Sequence, residues 1–355
     1  MKQKDLTQKG VMIRVIWLAA AVRAALLIIL SMQLVACSPA SIEMQSIKGR
    51  TMGTGYSILW PAQTPSINIE AIRQKAEELL ININSQMSTY QPDSEISVFN
   101  SSAAPHSQVI SDDFAQVMAL SIKLNLDTDG YFDVSVGPLV NLWGFGPDKN
   151  PVSKPSDQVI NNTLANIGLN AIALEQGKLS KNGLRYIDLS AIAKGYAVDQ
   201  LAKLLNSQGV DSYLVEIGGE MRAKGLKPGA EPWKVAIESP NFSQRKVHKI
   251  LPVTDVAIAT SGDYRNFFEL DGKHYSHSIN PKTGYPVEHS LASVTIIAEQ
   301  CAHADALATA MLVMGMEKAK EYVLKNDIKA YMIVRNEQNG FQEYLSPAFL
   351  GWLTP

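Results

Sequence analysis

Tyr264-Arg-Asn-Phe-Phe-Glu-Leu-Asp-Gly-Lys-His-Tyr-Ser-His-Ser-Ile279 divides into a β-prone run from Tyr264 to Leu270, the dipeptide Asp271-Gly272, and a second run from His274 to Ile279. Asp-Gly favours the tight primed turn that joins antiparallel strands, so this stretch predicts a hairpin. Working outward, Tyr56–Trp60, Tyr213–Ile217, Trp233–Ile237, Val253–Ala259, Ala292–Ala298 and Lys329–Arg335 read as further strands. Helical spacing predicts a helix from Ile67 to about Ile83 capped by Ser66, and another capped by Asp112 that ends near Leu126. Further helices fit Ala191–Ser207, closed by Gly209, then Ala302–Val313 and Glu317–Leu324. Gly130–Val136 reads as a glycine turn into a β-prone run, and Asn141–Pro155 as a loop anchored by Trp143 and Phe145. Strands come in meanders and hairpins mixed with helices, without strict βα alternation. The expected class is α+β.

The 355 residues contain 46% hydrophobic and 19% charged residues, which excludes a disordered or collagen-like chain. Lys plus Arg number 32 against 34 Asp plus Glu, so no basic excess points to nucleic acid. Two cysteines exclude a disulfide scaffold and a Cys-based zinc site. Mean hydropathy of -0.03 excludes a polytopic membrane protein but can hide one apolar segment.

That segment is Ala24–Ala36, which follows Arg14 and Arg23 and ends in Leu34-Val-Ala-Cys37. It is short for a span, which needs ~20 residues, and fits the apolar region of a signal peptide. The last four residues resemble a lipobox, in which Cys37 takes a lipid after cleavage before it. The expected organisation is a removed leader at 1–36, a lipidated Cys37 with a tether over 37–46, and a folded domain over 47–355. The leader holds Lys2, Lys4, Lys9, Arg14 and Arg23 against Asp5, so the remaining chain is acidic. An acidic protein that binds an anion needs local cations or helix ends. Cys301, left without a partner, is expected as a small buried hydrophobe.

Four motifs carry chemistry. Thr51-Met-Gly-Thr-Gly55 precedes a strand; it is either a structural turn or a close backbone approach to a ligand. Ile187–Asp199 brings Asp188 to a helix start with Lys194 in its first turns. It is either a cap with a solvated lysine or an N-terminus suited to phosphate, and it lacks the Walker A order. Asp305 and Thr309 lie four apart and share a helix face. They are either a capping feature or an oxygen pair suited to a hard cation such as Mg²⁺. His277, near Ala259–Arg265 across the hairpin, is either a satisfied hydrogen-bonder or a base. No histidine pair has a helical zinc spacing.

Taken in order, Thr51–Thr54, Met87–Tyr90, Asp93–Ile96, Gly130–Asp133 with Gly137–Leu139, Asp188–Asp199, Glu216–Glu220, Ala259–Arg265, Tyr275–His277, Thr283-Gly284 and Ala304–Thr309 resemble the ApbE family of FAD:protein FMN transferases. The resemblance spans about Lys48 to Met316. It implies a T-fold-like α+β architecture of mixed or antiparallel sheets with packed helices and a flavin nucleotide in a central cleft. Met52, Tyr90, Gly130, Tyr131, Phe132 and Asp133 are implied to contact FAD, Asp188 and Lys194 to hold the nucleotide, and Ile279 to lie along it. The backbone oxygen of Ala191, with Asp305 and Thr309, is implied to bind Mg²⁺. His277 and Asp305 are the candidate proton acceptors, with His277 favoured. Ser190-Ala191 stands where Gly-Gly is common, and Ser278, Asn280 and Lys282 replace Ile, Asp and Arg. The implied reaction attaches FMN to a Thr or Ser of a target protein and releases AMP. The implied acceptors are subunits of Na⁺-pumping or Rnf-type NADH:quinone oxidoreductases, reached from a lipid anchor facing the periplasm. The alternatives are an FAD pyrophosphatase and a flavin-binding lipoprotein without turnover.

Overall fold

Met52-Gly53 turns the chain from β1 (Met44–Thr51) into β2 (Thr54–Pro61), with Thr51 opposite Thr54. Both turn residues have positive φ, 48° and 74°, as a two-residue primed turn requires. This computed structural model describes residues 43–62, 67–147, 153–241, 246–270, 272–336, 338 and 340–353, with Trp17 and Arg23. The expected leader and Cys37 lie outside the described residues, those two positions apart.

After β2 comes a long excursion: α1 (Ile69–Met87), α2 (Glu95–Ser101), β3 (His106–Val109), α3 (Asp112–Asp127), α4 (Gly137–Leu142), α5 (Asp157–Leu164), β4 (Ile172–Glu175), β5 (Lys178–Lys181) and α6 (Ala193–Ser207). The chain returns as β6 (Tyr213–Ile217) beside β2 and continues into β7 (Glu220–Lys224). The hairpin of β8 (Trp233–Glu238) and β9 (Val247–Val253) is a second excursion, after which β10 (Val256–Gly262) joins β7. The third is β11 (Phe267–Leu270) and β12 (Lys273–Ser276), before β13 (Leu291–Ala298) joins β10. Then follow α7 (Cys301–Met314), α8 (Met316–Lys325), β14 (Lys329–Arg335), β15 (Phe341–Leu345) and α9 (Pro347–Leu353). The main sheet is therefore an antiparallel meander, β1-β2-β6-β7-β10-β13-β14-β15, interrupted by excursions. The expected hairpin is present, with Leu270 opposite Lys273 and Gly272 at φ 74°.

Side chains alternate across this sheet, as period-two geometry dictates. Ala257 and Ala259, Val294 and Ile296, and Ala330 and Met332 face a core shared with α1, α6 and α7. Ile258, Ile297, Tyr331 and Ile333 face the opposite core, covered by Trp233, Val235 and Ile237 of β8 and by Phe349 of α9. A third cluster ties Leu139, Trp143 and Ile160 to Tyr275 and Ile279, and Trp143 Nε1 donates to the Gly284 carbonyl at 2.8 Å. α7 is buried nearly all round, which explains why its residues are small or apolar apart from His303, Asp305 and Thr309.

Local chemistry moved several boundaries. α1 is capped by Asn68, whose Oδ1 accepts from the Glu70 and Ala71 N–H groups; the expected cap, Ser66, is not described. Ser111 caps α3, leaving Asp112 and Asp113 in the first turn, where the helix dipole favours them. The run after Gly130 forms no strand. Asp133 Oδ1 accepts from the Ser135 N–H and hydroxyl and bends the chain into α4. The expected strand Val253–Ala259 is split at Asp255, whose φ is 51°.

Candidate active site

The excursions and the main sheet meet at a cleft of about 580 Å³. Its wall includes Tyr90, Tyr131, Phe132, Asp133, Asp188, Ala191, Lys194, His277, Ile279, Asp305 and Thr309, so eleven expected site residues converge there. Met52 and Gly130 are not among the lining residues. Met52 sits in the β1–β2 turn and packs on the main core. Gly130, at φ 75°, closes the turn after α3 by donating to the Asn125 carbonyl at 2.7 Å.

α6 and α7 build the floor and cap each other. The first N–H groups of a helix lack partners within it. Neither helix has a side-chain cap at its own N-cap residue. Instead Asp199 of α6 accepts from Cys301 N and Ala302 N at 3.0 Å each. In return, Asp305 Oδ2 of α7 accepts from Gly195 N at 3.1 Å. The helices approach backbone to backbone here: a Cβ on Gly195 would lie 2.4 Å from the Cys301 carbonyl oxygen. Arg222 also pairs with Asp199, at 2.5 Å. Cys301 is buried in this contact, and burial raises its thiol well above the usual value, so it is inert.

Lys194 Nζ lies 2.9 Å from Glu220 Oε1 and 3.8 Å from Asp305 Oδ2. Burial opposes its charge, but the two carboxylates more than offset this and hold it above an ordinary lysine. Burial outweighs the pull of Lys194 on both acids and holds the Asp305 and Glu220 carboxyls above the usual carboxylate range, Glu220 at about 7. Thr309 Oγ1 lies 3.0 Å from Ser261 Oγ on β10. Asp305, Thr309 and Ala191 thus lie on one cleft wall, and the hydrogen bond from Gly195 and the longer Lys194 contact both fall on Asp305 Oδ2. That donor set fits a hard cation. Among the described residues no three of His, Cys, Asp and Glu group to hold a metal ion.

His277 is half-buried across the cleft, with Phe145 edge-on at 6.3 Å between ring centroids. Its Nδ1 lies 2.9 Å from the Asn266 carbonyl oxygen. A carbonyl only accepts, so Nδ1 carries the proton and Nε2 keeps a free lone pair. Burial lowers this ring below an ordinary histidine, partly opposed by the Asn266 contact.

At the mouth, Tyr90 is exposed, and Tyr131 lies under Lys282 and Lys318, whose Nζ atoms are 4.4 and 4.9 Å from its ring centroid. Asp188 Oδ1 accepts from the Ser190 N–H and hydroxyl and shapes the entry to α6. Glu220, Ser261, Arg265 and Asn266 also line the cleft; Glu220, Ser261 and Arg265 fall in stretches that carry the family resemblance, without an individual role from sequence. The signal for Glu220 was present: a carboxylate directly after Gly218-Gly219 is delivered by a fixed turn.

The sequence model of the ApbE family matches residues 52–332. This chain belongs to the ApbE family. It is 44% identical over 313 residues to an FAD:protein FMN transferase of Vibrio cholerae, covering 88% of this chain and 93% of that one. An FAD:protein FMN transferase of Escherichia coli is 38% identical over 319 residues, covering 88% and 90%. Among solved ApbE structures, the flavin transferase of Vibrio cholerae superposes with a TM-score of 0.81 at 43% identity, covering 87% of this chain and 99% of that one. The apo flavinyl transferase of Pseudomonas stutzeri gives 0.82 at 36% identity, covering 90% and 99%. The ApbE architecture is thus the α+β fold described above.

Proposed function

We propose that this chain transfers FMN from FAD to a hydroxyl of a target protein and releases AMP. The observation that carries the reading is the pairing, across one cleft of an ApbE chain, of Lys194 with a histidine whose Nε2 is free. The Thr or Ser oxygen bonds to the FMN-side phosphorus of FAD. The bond from that phosphorus to the bridging oxygen breaks, and the oxygen leaves on AMP. The hydroxyl proton passes to His277 Nε2, which the Asn266 carbonyl holds in the accepting tautomer. Lys194 lies on the wall as a fixed positive charge for the pyrophosphate. Tyr90, Asp188 and Ile279, which line the cleft, belong to the nucleotide-holding set, and Met52, outside the lining, is left out of it.

Asp305, Thr309 and the Ala191 carbonyl are proposed to hold Mg²⁺. Two carboxyls, Glu220 and Asp305, face the single ammonium of Lys194, and a divalent cation on this wall would supply charge against an anionic substrate. When bound, Mg²⁺ neutralises charge on the pyrophosphate and on the departing AMP.

Cys37 is proposed as the lipid anchor, placing the domain on the periplasmic side of a bacterial membrane, beside acceptors such as subunits of Na⁺-pumping or Rnf-type NADH:quinone oxidoreductases. Among the described residues no helix is long and apolar enough to cross a membrane. Labelled palmitate that still enters a Cys37→Ser variant would remove the anchor.

The deciding experiment incubates the purified chain with FAD, Mg²⁺ and an acceptor domain and follows AMP and the acceptor's mass. FMN on the acceptor with equal AMP is expected. AMP with free FMN would instead make the chain a pyrophosphatase, and neither product would leave a flavin-binding protein.

A further inference from the structure

We propose that Glu220 is a positioning residue that draws the Lys194 ammonium away from Asp305 and so keeps that carboxylate open to a hard cation. This rests on the Mg²⁺ reading given above. The two carboxylates flanking Lys194 are not equivalent. The 2.9 Å contact to Glu220 Oε1 is a hydrogen bond, whereas 3.8 Å to Asp305 Oδ2 is too long for one. Asp305 Oδ2 is instead held by the Gly195 N–H. The ammonium is thus committed to Glu220, and Asp305 is oriented by backbone.

The fold goes to some cost to arrange this. The Glu220 side chain is only 5% exposed, and its Oε2 is buried with no hydrogen-bond partner. A half-satisfied buried carboxylate costs stability, so its presence here is not explained by stabilisation of the fold. The backbone leaves it little freedom. Glu220 opens β7 straight after Gly218 and Gly219, at φ 62° and 110°. Gly219 N donates to Glu216 Oε1 at 2.8 Å, and a Cβ on Gly218 would meet the Thr54 side chain at 2.9 Å. The turn therefore aims one carboxylate at one ammonium.

The consequence is electrostatic. An ammonium and a metal cation compete for the same carboxylate, since each repels the other at short range. With Glu220 neutral, Lys194 loses its nearest anion, and Asp305 becomes the better partner. The ammonium then occupies the oxygen set that the cation needs.

The test is direct Mn²⁺ binding to the full chain without FAD, with free Mn²⁺ read by electron paramagnetic resonance. Wild type is expected to show a site that Asp305→Ala removes. Glu220→Gln is expected to weaken it about tenfold, the low end for loss of a group that supports a metal ligand. Adding Lys194→Met to Glu220→Gln is expected to restore wild-type affinity or better, which general damage to the fold would not allow. The inference is overturned if Glu220→Gln binds as wild type does, or if the double variant stays as weak as Glu220→Gln. Should Glu220→Gln fail to fold by circular dichroism, Lys194→Met alone decides: binding at least as tight as wild type supports the inference, and loss like that of Asp305→Ala overturns it. A wild-type site indifferent to Asp305→Ala would sink the metal reading itself and this inference with it, whereas a site sensitive to Asp305 but not to Glu220 sinks only this one.

Discussion

Asp305 reaches from α7 across to α6 and accepts the Gly195 N–H at 3.1 Å, at the point where a Cβ on Gly195 would meet the Cys301 carbonyl at 2.4 Å. One contact thus sets both the helix spacing and the aim of a site carboxylate. Gly195→Ala is expected to push the helices apart, costing about 1–3 kcal/mol as overpacking does. Urea denaturation measures that cost. Turnover in the folded fraction is expected to fall as well; a variant with wild-type stability would show that the approach is looser than described.

His277 gives a signed pH dependence. Burial disfavours its charged form, so its pKa lies below the ordinary 6.5. A base must be neutral to accept a proton, so activity is present above the lowered pKa and lost as pH falls through it. The acid limb of kcat/KM is therefore expected below pH 6.5. His277→Asn is expected to lower the rate by ~10²–10⁴ and to abolish that limb. An unchanged limb in the variant would assign it to another group.

Asp305→Asn keeps the shape of the side chain but not its charge. AMP release is expected to lose its Mg²⁺ dependence together with most of its rate. Thr309→Val removes one hydroxyl, which lies 3.0 Å from Ser261 Oγ, and is expected to raise the Mg²⁺ concentration needed while sparing the maximal rate. Titrating Mg²⁺ at saturating FAD separates the two patterns. Full activity of Asp305→Asn at low Mg²⁺ would rule the site out.

Asp199 is expected to matter for stability more than for chemistry. Its carboxylate caps α7 through Cys301 and Ala302 and pairs with Arg222. Asp199→Ala strands two buried N–H groups and one half-exposed guanidinium, an expected loss of about 2–4 kcal/mol. Thermal melting checks it, and a change under 1 °C would show that the cap is redundant.

Much of this was readable from residues. The Asp-Gly turn announced antiparallel pairing, and the i,i+4 spacing put Asp305 and Thr309 on one helix face. Other features depend on distant partners. Asp199 and Asp305 cap helices 102 and 110 residues away in sequence, and no local pattern encodes a cap supplied from elsewhere. Residue spacing alone does not bring Glu220 to Lys194, because that pairing depends on how β7 lies against α6. The β-branched residues of Gly130–Val136 suggest a strand, but the Asp133 turn bends this run into α4 instead. The caps at Asn68 and Ser111 lay near the expected residues, and side-chain geometry chose between neighbours.

The mutual capping of α6 and α7 also bears on how the protein comes apart. Asp305 and Thr309 ride on a helix buried nearly all round and tied at its start to the other. Amides in such a segment exchange with solvent only through opening of the whole unit. Deuterium uptake at 301–314 is therefore expected to be among the slowest in the chain and to track global stability. Partial unfolding that frees the outer strands would leave the cleft floor assembled, so loss of this part of the site and loss of the fold become a single event.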